Sequence, residues 1–211
     1  MSEQLEFSAL FSKTKVTSSF DTPEMTTDAG VLLLREIDKI TGISDKLANA
    51  IHDQRTPGYV THSMKSLLQQ RIYQICQGYE DADDCDHLRK DAALKTAVEK
   101  HSAHKKSDLC SQPTMTRLEN SVTTRDLIRL FYAQIDLFCE TFSSEPTSIV
   151  LDVDPTVSYC YGDQQLSIFN THAGDYCLMP FHVYDGVTGN VIATVIRPGK
   201  TPILLRKLSH C

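Results

Sequence analysis

The hydrophobic rhythm of the chain changes once, at Pro146. Before it, apolar residues recur at helical spacing; after it, they come in short runs rich in Val and Ile. A period near 3.6 buries one stripe of a helix, and a period of two buries one face of a strand. One repeated architecture cannot serve both halves. The expectation is an α+β chain, with an extended segment over 1–26, a mainly helical domain over 27–145 and a strand-bearing domain over 146–211.

The helical half carries its own start and stop signals. KVTSSFD (15–21) reads as a weak strand, and Thr27-Asp28-Ala29-Gly30 as a cap ahead of VLLLREIDKI, where Val31, Leu34, Ile37 and Ile40 form a stripe. In THSMKSLLQQRIYQICQGY (61–79), Met64, Leu67, Leu68, Ile72 and Ile75 predict one apolar face, with Ser63 as cap and Gly78 as stop. The acidic run from Glu80 suits the positive end of the helix that follows. Residues 100–113 read as a polar linker. Thr116 and Glu119 have capping-box spacing, and Leu127, Leu130, Phe131, Ile135 and Phe138 make a broad core stripe.

Beyond Pro146, IVLDVDPT (149–156), LMPFHVYDG (178–186) and NVIATVIRP (190–198) predict three strands. The last two are joined by the turn-rich stretch 185–190, and a helix is expected to start at Thr201-Pro202. Two acids interrupt the first run. Alternation puts Asp152 and Asp154 on one face with Val150, and Ile149, Leu151 and Val153 on the other, buried face. Two carboxylates on a free face suit Mg²⁺, and paired ions held by several carboxylates cleave phosphodiesters. The same acids also read as a solvated strand face, with Asp154-Pro155-Thr156 as a turn start.

Bulk properties narrow the classes. A net charge of -6 is unlike a compact basic nucleic-acid module, though a local basic patch remains compatible with it. The 7 cysteines include no C-x-x-C pair, which argues against a zinc knuckle and for reduced thiols. His101 and His104 sit in a Lys-rich stretch and read as a solvated turn. No leader-like start and no run near the ~20 apolar residues of a membrane span is present. The expected setting is cytoplasmic, without a membrane partner.

Several blocks then stand in an ordered series: TTDAGVLLLREID (26–38), HSMKSLLQQRIYQICQGYEDADDCDHLRKDAALK (62–95) with R-x-Y-Q-I-x-x-G-Y-E-D from Arg71 to Asp81, SQPTMTRLEN (111–120), IVLDVDPT, QQLSIFNTHAGDYCLMPFHVYDG (164–186) and IRPG (196–199). In these blocks the chain resembles bacterial insertion-sequence transposases of the DDE type, group 1, over almost its whole length. The resemblance implies an incomplete ribonuclease-H-like catalytic fold, of which the β-β-β-α opening is present. It further implies that an Asp, a second Asp and a Glu hold two Mg²⁺ or Mn²⁺ ions, and that DNA is cut and joined at the ends of the element.

The first Asp of such a set falls in IVLDVDPT. The family's Asp-x-Thr favours Asp154, with Asp152 beside it, as catalytic and metal-binding residues. The chain departs from the family at Tyr161-Gly162-Asp163, where His-Gly is usual, and at Asn170-Thr171-His172, where Asn-Gly-His is usual. No residue matches the second Asp or the Glu, so a truncated, catalytically inactive transposase is expected. The alternative is a non-catalytic DNA-binding or dimerising module, with Lys65, Arg71, Arg117 and Arg125 on phosphates and 111–117 opening a recognition helix. Its partners would be element-end DNA, a second copy of the chain, or an intact transposase. A third reading is a folded remnant whose sheet keeps an open edge.

Overall fold

The computed structural model describes residues 5–7, 16–18, 26–100, 108–162 and 164–199. It is α+β, with helices first and small antiparallel sheets after them. Two compact units divide it, Met1–Asp126 and Leu127–Cys211. No helix among the described residues is long and apolar enough to cross a membrane.

The first unit opens with an antiparallel pair, β1 (Leu5–Phe7) and β2 (Val16–Ser18). Part of the strand expected over 15–21 is therefore present; Phe20 lies outside the described residues. Helices α1 (Val31–Thr41), α2 (Ile43–Ala50), α3 (Met64–Cys76), α4 (Asp84–Leu88), α5 (Ala92–Ala97) and α6 (Gln112–Ser121) follow. A 3₁₀ turn at Pro57–Tyr59 interrupts the stretch between α2 and α3.

The ends of α3 form as the sequence predicts. Ser63 Oγ accepts from the Ser66 N–H, and Gly78 at φ 91° stops the chain with its N–H on Ile75 O. Its buried face differs from the prediction. Ser66, Leu67, Gln69, Gln70, Tyr73 and Gln74 are inside, and Ile75 is exposed. In α1, likewise, Val31, Arg35 and Asp38 are buried while Ile37 and Ile40 face out. Both faces turn inward on polar groups because those groups find partners. Asp38 accepts from Ser44 N–H, Ser44 Oγ, Gln69 Nε2 and Tyr73 OH at 2.6–3.2 Å. A hydrophobic count cannot foresee a buried face built on satisfied polar atoms.

Other local expectations are corrected. No side chain caps α1, whose first residue is preceded by Gly30; the Asp28 carboxylate is engaged by Tyr79 OH instead. Thr116 and Glu119 lie inside α6, which begins at Gln112 with Pro113 in its first turn. Leu109 and Cys110 are buried rather than solvated linker, and residues 101–107, with His101 and His104, lie outside the described residues. A capping box does form one helix later: at the start of α7 (Thr124–Cys139), Thr123 and Asp126 bond reciprocally.

Most of α7 belongs to the second unit. Its Phe138, with Phe131 and Ile135, packs on Ile192, Ala193 and Val183. That cluster explains why the division falls after Asp126 rather than near Pro146. The strands are β3 (Leu151–Pro155), β4 (Ser158–Tyr159), β5 (Ile168–Asn170), β6 (Asp175–Leu178), β7 (Phe181–Asp185) and β8 (Val191–Val195). They form two antiparallel sheets, ordered β3-β7-β8 and β4-β6-β5. The first holds the three expected strands. The second, inserted between β3 and β7, adds to the three expected strands. The helix expected at Thr201-Pro202 lies outside the described residues.

Candidate functional site on the β3-β7-β8 sheet

Register decides what stands beside the two acids. Antiparallel pairing sets Asp152 opposite Tyr184 and Asp154 opposite His182, and His182 in turn opposite Thr194. Residues directly opposite share a face. Asp152, Asp154, Tyr184, His182 and Thr194 therefore lie on one side of the sheet, and His182 Nδ1 is 3.1 Å from Thr194 Oγ1. Helix α7 covers the other side through Val183 and Ala193. The sequence missed His182 and Tyr184, although their alternation with Phe181 and Val183 in LMPFHVYDG carries the signal.

The acids share a face as predicted, but the strand beneath them is not buried. Leu151 is 62% exposed and Val153 51%. The apolar cluster under α7 contains no residue of β3, which is the edge strand of its sheet. Both faces of β3 are therefore open among the described residues.

Asp185 and Asp175, of the same unit, are engaged in local bonds. Asp185 accepts from the N–H groups of Val187 and Thr188 and from Thr188 Oγ. The Thr188 bond, with the backbone donors, outweighs burial and holds its carboxyl below the usual range. It shapes the β7–β8 turn. Asp175 accepts from the Tyr176 N–H, and Asp163 lies outside the described residues. No three His, Cys, Asp or Glu among the described residues form a group able to hold a metal ion. Two exposed carboxylates suffice for a hydrated Mg²⁺ but not for a pair of ions.

The four predicted DNA-contacting bases divide into two kinds. Lys65 is ion-paired with Asp45 at 2.8 Å, and Arg71 with Glu119 at 2.8 Å. Arg71 also donates to Glu80 O and is largely buried, so it ties α3 to α6 and to the turn after α3. Arg117 and Arg125 are exposed and have no partner among the described residues.

Three more residues of the Arg71–Asp81 block brace the unit. Tyr73 reaches Asp38, Gln74 accepts from Cys85 Sγ, and Tyr79 reaches Asp28. Next to the block, Gln70 both donates to Cys110 O and accepts from its N–H. The six described cysteines are free thiols.

Comparison with known proteins returns no match among curated proteins and none among solved structures. A family model does match: the transposase DDE domain, group 1, over residues 8–204. That span takes in the Asp38-centred helical unit and the Asp154-bearing sheet together. This chain belongs to the group 1 DDE transposase domain family.

Proposed function

We propose that the chain supplies the DNA-contacting region and the first catalytic acid of an insertion-sequence transposase, and that it does not cut DNA by itself. The observation that carries this is the strand β3, which presents Asp152 and Asp154 on one free face within the family match. The antiparallel order β3-β7-β8 supports a ribonuclease-H-like opening, with the acid on its first strand. Asp154 is the metal-binding acid and Asp152 its neighbour. Divalent metal ions serve the family generally. Here the described residues lack the ligands for an ion pair, so no chemical step is assigned to them. The second Asp and the Glu match nothing in these 211 residues.

Purified chain mixed with element-end duplex and Mg²⁺ or Mn²⁺ is expected to leave the DNA intact. Metal-dependent nicking that disappears in Asp154→Ala would refute the inactive reading.

A second reading is favoured by Arg117 and Arg125, which are exposed and unpaired among the described residues. On it, the helical unit binds element-end DNA and modulates an intact transposase or a second copy. Phosphate contacts give salt-sensitive affinity. A gel shift at two salt concentrations is expected to weaken at the higher one; Arg117→Ala is expected to bind more weakly at both and to lose less between them. Absence of any shift sinks it.

A further inference from the structure

We infer that a cavity in the helical unit, between α6 and the loop 52–62, binds one unpaired nucleotide of a DNA strand, with its phosphate on Arg117 and its base over an apolar floor. The inference rests on the DNA-binding reading and sharpens it.

The cavity measures about 450 Å³, within the range of small-ligand sites and too small to admit a duplex. One face of α6 lines it, with Thr114, Arg117, Leu118 and Ser121 at helical spacing. Met64 and Leu67 from α3 join Leu118 as the floor, and both leucines are buried. The opposite wall is held in shape by its own bonds. The His52 N–H donates to Asp126, Arg55 clips Asp53 with two 2.7 Å bonds, and Arg55 Nη1 donates to His62 O.

That clip settles the charge. Asp53 is committed to Arg55, and among the described residues no other acid lines the cavity, which leaves the Arg117 guanidinium uncompensated. A positive wall in a chain of net charge -6 selects an anion. A guanidinium matches a phosphate in two-pronged geometry. An apolar floor does nothing for a bare phosphate but accepts a flat base.

The rim supplies a stacking surface. Tyr59 is 90% exposed, yet it is fixed in the 3₁₀ turn that begins at Pro57. An exposed ring on a rigid turn suits base stacking. His62 Nδ1 is buried without a partner among the described residues. Burial first, then Lys100, Arg89 and Arg55, disfavour protonation of its ring. A neutral imidazole adds no charge to that wall, so the anion falls to Arg117.

The test measures fluorescence anisotropy of the 211-residue chain with two labelled duplexes, one fully paired and one carrying a single unpaired thymidine. The bulged duplex is expected to bind about tenfold tighter. Tyr59→Ala and Arg117→Ala, both at exposed positions, are expected to bring the two affinities together. Equal, salt-sensitive binding of both duplexes by the unaltered chain overturns the nucleotide site and leaves the DNA-binding reading standing. No salt-sensitive binding to either overturns both. A preference for the bulge that survives both substitutions assigns it elsewhere and overturns this cavity as its source.

Discussion

Asp38 shows why the most distinctive stretch of the sequence is a brace. Burial raises the cost of its charge, but the donors Ser44, Tyr73 and Gln69 outweigh that and hold its pKa below the ordinary range. A carboxyl depressed in the fold adds stability that is complete above its unfolded pKa of about 3.9 and drains away as pH falls through the folded value. Asp38→Asn is therefore expected to flatten the acid limb of a stability-versus-pH curve measured by urea unfolding; an unchanged limb would place the acid sensitivity elsewhere. Tyr73→Phe removes one bond to this charged group and is expected to cost about 1.5–3 kcal/mol at neutral pH by the same measurement. Gly199 is a second residue whose identity is dictated by space. A Cβ there would lie 2.7 Å from Ile168 O and closer still to Cys177 O, and Asn170 Nδ2 donates to Gly199 O. Gly199→Ala is expected to destabilise the second unit by about 1–3 kcal/mol, seen as a lower urea midpoint for that unit.

At the scale of elements, periodicity located the helices and strands better than it oriented them. The β3, β7 and β8 segments and the ends of α3 were legible because their signals are local: alternation, a serine cap, a stopping glycine. The inward faces of α1 and α3 were not, because the partners that let Arg35, Asp38, Gln70 and Gln74 be buried include ones 11 to 64 residues away. The sheet β4-β6-β5 escaped for a related reason. Its strands are two to four residues long, below the length at which alternation can be distinguished from chance. The acids of the candidate site were legible as a pattern, whereas the cavity under Arg117 was not, since it joins residues 52–67 to residues 114–121 only through the fold. Helix α7 is held to its sheet through a small apolar cluster centred on Phe138. Phe138 is 4% exposed and stacks edge-on with Phe142, at 5.1 Å between centroids. Phe138→Ala is expected to cost about 3–5 kcal/mol.

For the whole molecule, the unequal cores predict an order of unfolding. Among the described residues, the helical unit holds two clusters, one around Tyr73 and Leu94 and one around Leu67 and Met115. The second unit holds a single cluster of Phe138, Ile192 and Ala193, and leaves Leu151, Val153 and Ile196 more than half exposed. Burial of apolar surface supplies the main favourable term in folding, so the smaller cluster has less to set against the entropy of ordering its strands. Native-state hydrogen exchange followed by mass spectrometry in rising urea separates the units, because α3 and β8 yield different peptides. Amides of β8 are expected to lose protection at lower urea than those of α3. Phe138→Ala is expected to move the β8 transition further down without moving that of α3. Joint loss of protection in both segments, shifted together by the substitution, would mean that the units unfold as one cooperative body and that the smaller cluster does not set the order.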